Sequence, residues 1–288
     1  MLAVGDRFGY RVDSLQRLCE LFEIRAETHR RGEEHLLKRT ILDDLLDTLP
    51  DDAPVRSVLV GAHWTAVCSR SCGLASTLLE EKPHDHVRIR VRDAGRLHLK
   101  SARELAEYAR SDNPIEASIG VAALNSLLHP GDREVAEINA AEVLVEQGSR
   151  RQVAVVGRFP FIPRLRDATA RLWVIEKHPA EGEYPAAAAS ELIPRAEVVA
   201  LTGSALINHT LDDLLALCSP GAVVVVLGPS TPLSPVLFDH GVTMISGAQV
   251  IDEELALHTI SQGGTFQQVR GTRLRTLTRE LTSKSSRI

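Results

Sequence analysis

The sequence predicts an α/β protein whose C-terminal half is a Rossmann-like, doubly wound and mostly parallel sheet. Three observations predict it. Five short apolar runs follow residue 150, at 152–157 (QVAVVG), 172–176 (LWVIE), 197–202 (EVVALT), 222–228 (AVVVVLG) and 242–246 (VTMIS). They are continuous rather than alternating and mostly rich in β-branched residues, as suits strands covered on both faces. Helical segments separate most of them, and alternation of strand and helix is the signature of such a sheet.

Ahead of that sheet, a smaller α+β region is expected. Apolar positions recur at helical spacing over 13–30 and 33–49, the second including Leu36, Leu37, Ile41, Leu45 and Leu46 before Pro50 stops it. Residues 55–61 read as a strand that Thr65–Cys68 continues or pairs with, and 87–91 alternates as a half-buried strand should. Ser101-Ala102-Arg103-Glu104 is a capping box, and Asn113-Pro114 opens a helix to about Leu128. A third helix is expected over about 135–147, ending at Gly148. Further on, Thr210, Ser234-Pro235 and Asp252 start helices that Gly221, Gly241 and Gly263-Gly264 close. The expected domains are 1–111 (α+β) and 112–278 (Rossmann-like), with a disordered tail over 279–288.

Composition narrows the function classes. The chain has 288 residues, 44% hydrophobic and 25% charged, with only 4% aromatic, so its core must be aliphatic. A net charge of -5 argues against a general nucleic-acid binder. No stretch approaches the roughly 20 apolar residues of a membrane span, and the N-terminus lacks the pattern of a signal peptide. Four cysteines are too few for a disulfide framework at this length. The expectation is a cytoplasmic protein with reduced thiols and no nucleic-acid or membrane partner.

Ligands of open α/β sheets bind beyond the carboxyl ends of the strands, where strand order reverses. Here those ends carry Gly157-Arg158-Phe159-Pro160-Phe161, Glu176, Thr202-Gly203 with Asn208 beyond, and Gly228-Pro229-Ser230-Thr231. Glycine lets a ligand approach the backbone, while hydroxyls and an amide supply uncharged donors and acceptors. The same residue types also make ordinary turns. Glu176 follows Gly157 at the distance where dinucleotide-binding sheets place a ribose-binding acid, but the first loop lacks G-x-G-x-x-G. That disfavours NAD and leaves a nucleoside-like ligand such as S-adenosylmethionine. Separately, His63, Cys68 and Cys72 could hold a transition metal, though no second Cys pair or His-x₃-His follows to complete a structural zinc site. His84-Asp85-His86 reads equally as a polar loop, Cys19 and Cys218 as core residues on helices. There is no nucleophile elbow, P-loop or paired zinc-protease histidines.

The blocks VVGRFPFI (155–162), VIEKHP (174–179), ELIPRAEVVALTGSALINHTLDDLL (191–215), LGPSTPLSP (227–235) and GVTMISGAQVID (241–252) resemble the family named "putative heavy-metal chelation". HWTAVCSRSCGLAST (63–77) and NPIEASIGVAALNSLL (113–128) resemble its usual partner region, which has a fold like the N-terminal domain of enolase. The resemblance implies a homodimer and a site in the cleft between the two parts, linked to metal chelation or to making a chelating metabolite. It would place Trp64, Thr65 and Cys72 on one wall of that cleft. Phe159, Pro160, Glu176, Thr202, Gly203, Asn208, Gly228, Pro229, Ser230 and Thr231 would form the other. Two residues depart from the family pattern: Arg158 stands where G-H-F-P-F has histidine, and His209 where a small residue is usual. Three functions follow as expectations: a small-molecule enzyme or binding protein, a direct metal binder, and a non-catalytic structural or regulatory protein.

Overall fold

A computed structural model of the chain describes residues 39–79, 90–128 and 139–279. From Ile41 onward the chain forms one unit. Helix α1 (Ile41–Asp47) buries Ile41, Leu42, Leu45 and Leu46, a spacing that puts them on one face. Strands β1 (Ser57–Val60), β2 (Trp64–Cys68) and β3 (Cys72–Ser76) form an antiparallel sheet in that order. Helix α2 (Ala102–Ala106) opens on the expected capping box, with Ser101 and Glu104 satisfying each other's backbone N–H groups. Helix α3 (Pro114–Leu127) is capped by Asn113, whose side-chain oxygen accepts from the N–H groups of Ile115 and Glu116. It lies against β2 and β3. Gly73 permits this approach, because a Cβ there would sit 2.2 Å from the Ala122 carbonyl oxygen.

The second half runs α4 (Ala140–Gln147), β4 (Gln152–Val156), α5 (Ile162–Ala168), β5 (Arg171–Glu176), β6 (Tyr184–Pro185), α6 (Ala189–Leu192) and β7 (Val198–Thr202). Then come α7 (Ser204–Ile207), α8 (Leu211–Ala216), β8 (Val223–Leu227), α9 (Val236–Asp239), β9 (Met244–Val250), α10 (Glu253–Ser261) and β10 (Thr272–Thr278). The seven strands lie in the order β6-β5-β4-β7-β8-β9-β10, all parallel except β10, which pairs antiparallel with β9. The chain works outward from β4 to β6, returns to the centre at β7, and works outward again. The switch point is therefore between β4 and β7.

Alternate residues of the central strands face opposite layers. Val153, Val155, Val198, Ala200, Val225 and Leu227 pack with Leu144 of α4 and Leu165 of α5. Ala154, Trp173, Ile175, Val199, Leu201 and Val226 join one continuous core with α1, α2 and α3. The three-stranded sheet is covered in turn on both sides. One face meets α3; the other, through Ala66, Cys68, Cys72 and Leu74, meets Ala256 and Ile260 of α10.

Several expectations change in detail. Thr65–Cys68 pairs with the first strand, and β3, β6 and β10 are strands the sequence reading does not assign. The last predicted run extends to Val250. Asp252 caps its helix through Leu255 N–H, whereas Thr210 makes no side-chain cap. Cys68 and Cys72 are opposite one another across the β2–β3 hairpin and are joined in a disulfide, so the expectation of reduced thiols fails for that pair. Cys218 is a half-buried free thiol that burial pushes up to about 11. The helix over 13–30, the start of those over 33–49 and 135–147, most of the strand over 87–91, Cys19, His84–His86 and the tail beyond Arg279 lie outside the described residues. No helix among the described residues is long and apolar enough to cross a membrane.

Candidate ligand site at the strand ends

The carboxyl edge of the seven-stranded sheet divides at the switch point. On the β4–β5 side, Gly157 ends β4 with φ +108° and, two strands away, Gly228 ends β8 with φ +114°. A Cβ on Gly157 would lie 3.3 Å from one edge of the Phe159 ring, and a Cβ on Gly228 would lie 4.0 Å from another. The half-buried ring thus spans the gap over the end of β7 and stacks on Phe161, centroids 5.1 Å apart. The space where a glycine-rich loop would admit a pyrophosphate holds an aromatic ring instead. Glu176 stands at the end of the neighbouring strand, half-buried, its carboxylate accepting from the Lys177 N–H at 3.1 Å.

Arg158 points to the loop after β5. Its Nε donates to both carboxylate oxygens of Glu183 (2.9 and 3.1 Å), and Nη2 donates to Glu183 Oε2 and to the His178 carbonyl, both at 2.6 Å. The Ala180 N–H donates to the same carboxylate at 2.8 Å. The Arg158 guanidinium, and then the Ala180 N–H, pull Glu183 down to about 2. Pro160 is exposed.

The β7–β8 side is closed. The Gly203 N–H donates to the Leu227 carbonyl (2.9 Å), and a Cβ on Gly203 would fall 2.3 Å from Thr231 Oγ1. Thr202 and Ser204 hydroxyls pair at 2.9 Å. Ser230 and Thr231 are each only 2% exposed. Ser230 Oγ accepts from the Ser76 N–H (2.8 Å) and lies 3.0 Å from Ser76 Oγ. The Asn125 amide donates to the carbonyls of Leu74 (2.9 Å) and Ser230 (3.2 Å). These bonds fasten β3 and α3 to the loop after β8, which the Gly228 N–H anchors in turn on the Ser246 carbonyl.

The structure therefore brings Gly157, Phe159, Thr202, Gly203, Gly228 and Thr231 together, with Pro229 in the same loop and Glu176 one strand over. The residues expected on the N-terminal wall have partners of their own, although Trp64 lies opposite Ser76, which reaches Ser230. The Trp64 ring packs on Phe266 with centroids 5.4 Å apart, and the Thr65 hydroxyl pairs with Thr77 across the hairpin. Cys72 is buried in its disulfide. Asn208 is exposed at the end of α7, where its side-chain oxygen accepts from the Thr210 hydroxyl (2.6 Å). His209, at φ +58°, bonds through Nε2 to the Ala109 carbonyl at 2.7 Å. His63 lies exposed at the opposite end of β2 from Cys68, roughly 16 Å along an extended strand. Among the described residues no group of three His, Cys, Asp or Glu side chains gathers in metal-binding geometry.

Three participants escape sequence reasoning: Ser76, Asn125 and Glu183. Asn125 carries a signal, as an amide in the mostly apolar C-terminal half of its helix. Nothing in the spacing marks Glu183, since its pairing with Arg158 spans 25 residues.

Comparison with known proteins agrees with this layout. Two family profiles described as "Putative heavy-metal chelation" match, DUF4213 over residues 42–128 and DUF364 over 139–279. Over 199 residues the chain is 28% identical to an uncharacterized protein of Methanocaldococcus jannaschii, covering 65% of this chain and 73% of that one. A crystal structure of a DUF364-family protein of unknown function from Desulfitobacterium hafniense DCB-2 superposes with a TM-score of 0.72 at 26% identity, covering 83% of this chain and 98% of that one. Another, from Pyrococcus horikoshii, shares the fold with a TM-score of 0.69 at 23% identity and the same coverage. The chain belongs to the family described as putative heavy-metal chelation, with its DUF4213 and DUF364 parts in the order of the two sheets.

Proposed function

We propose that this protein binds a nucleoside-like small molecule at the open, β4–β5 side of the switch point. The observation that carries this reading is Glu176: a half-buried carboxylate at the end of the strand beside β4, whose one hydrogen bond among the described residues is to the neighbouring backbone N–H. A carboxylate in that position suits the paired hydroxyls of a ribose. Phe159 supports a ligand without pyrophosphate, because its ring fills the place of the phosphate loop. The family's link to metal chelation then runs through the small molecule, as substrate or product of a chelator's biosynthesis.

Titration calorimetry with adenosine and S-adenosylmethionine tests this. Binding should weaken at least tenfold in Glu176→Gln while the melting temperature stays within about 2 °C, since the side chain carries no core packing. Absence of heat with either ligand, together with no thermal shift from other nucleosides, would sink the reading.

A second reading, direct binding of a soft cation, is favoured by the juxtaposition of Cys68 and Cys72. Two adjacent thiolates suit thiophilic ions, but only after the disulfide is reduced. Elemental analysis of reduced, metal-replete protein decides it, and less than about one-tenth equivalent of any transition metal ends it.

A further inference from the structure

Arg158 would ordinarily be read as an anion receptor. It lies on the loop leaving the switch point, half exposed, with a planar fork suited to phosphate. Yet the Nε and Nη2 edge of its fork is already filled. The Glu183 carboxylate takes both Nε and Nη2, the His178 carbonyl takes Nη2 as well, and the Ala180 N–H completes the grip on Glu183. Glu183 is the better shielded partner, with its side chain 13% exposed against 50% for Arg158. Arg166 adds a further favourable charge from α5. A guanidinium and a backbone N–H converging on one carboxylate are donors of the kind a phosphate group would use.

We propose that Glu183 is a specificity-determining residue: its carboxylate occupies an anion seat formed by Arg158 and the Ala180 N–H, and so excludes phosphorylated ligands from the mouth of the site. The seat's existence is independent of what the site binds; only the choice of nucleosides as probes rests on the reading given above. Because Glu183 is held ionised down to about 2, the exclusion does not relax anywhere between pH 5 and pH 8. The sign follows from the lowered value: the paired state is fully present above the ordinary carboxylate range and is lost only as pH falls through about 2.

Inorganic phosphate is the first probe, followed by thermal shift and ³¹P line broadening at constant ionic strength. Wild-type protein should show no saturable response up to about 20 mM, whereas Glu183→Ala should bind phosphate at least tenfold more tightly. Removing the receptor as well, in Arg158→Ala/Glu183→Ala, should abolish the gain. Glu183→Gln guards against misfolding of the loop, since the amide can still bond Arg158; it should show the same gain at smaller size. A folded Glu183→Ala or Glu183→Gln that binds phosphate no better than wild type overturns the proposal, and so does a gain that persists without Arg158. The second probe is adenosine against adenosine 5′-monophosphate. Wild type should favour the nucleoside and Glu183→Ala should shift the ratio towards the nucleotide by at least tenfold. Equal or tighter binding of the nucleotide by wild type also overturns the exclusion. If wild type ignores adenosine yet the variant gains phosphate, the seat stands and the nucleoside reading fails.

Discussion

The two halves of the strand-end edge both carry glycine at a strand end, Gly157 and Gly228, and meet opposite fates. Around β7 and β8, glycine, serine and threonine are drawn into the interior, where Gly203 gives room to Thr231 and Ser230 bonds to Ser76 and Asn125. Around β4 and β5, the loops stay open and charged, carrying Arg158, Glu176 and Glu183. The cause is what lies above each half. Three hydrogen bonds from β3 and α3 reach the loop after β8, whereas the hydrogen bonds of Arg158 run to its own half of the chain. Glycine and hydroxyl residues at a strand end therefore do not by themselves mark a ligand contact; what covers the loop decides.

Substitutions can break this contrast. The largest effect is expected from Gly203→Val, which puts a branched side chain against the Thr231 backbone as well as its hydroxyl. Backbone cannot rotate away, so a loss of about 3 kcal/mol or more is expected in urea unfolding. Ser230→Ala should cost about 1–3 kcal/mol, because the Ser76 N–H loses its acceptor at a buried position. At the bottom of the scale, Asn208→Ala removes one exposed contact to Thr210 and should change stability by less than about 0.5 kcal/mol. Ligand affinity should be equally untouched by it, and a large loss there would move the site towards α7.

Much of the fold was legible in the sequence because the parallel strands are continuous β-branched runs and the helices carry explicit caps at Ser101, Asn113 and Asp252. The strand β3 was not, since Cys72-Gly73-Leu74-Ala75-Ser76 is nearly all small residues. Small residues are needed there so that α3 can lie almost on the backbone, which is a tertiary demand that propensity does not express. Edge strand β10 hides for a different reason: it is half exposed and interspersed with arginine, unlike the buried strands beside it. The positions of the strand-end loops follow from the strand runs, and Glu176 falls at the end of β5. Which loops are covered was not legible, because Ser76 and Ser230 meet across 154 residues. Arg158 illustrates the same limit. Its identity shows in the sequence, while the carboxylate that occupies it shows only in space.

Helix α3 carries a consequence for how the molecule is made. Eleven of its fourteen residues are buried, and its core runs without a break into one face of the seven-stranded sheet. On the ribosome this helix is complete before β7 and β8 are synthesised, and most of its partners, α2, β2 and β3, precede it in the chain. Joining that core to the face of the seven-stranded sheet is the long-range step that comes later. A fragment beginning at residue 139 would lack α1, α2 and α3, which share one continuous core with a face of its sheet, and would be expected to aggregate rather than fold.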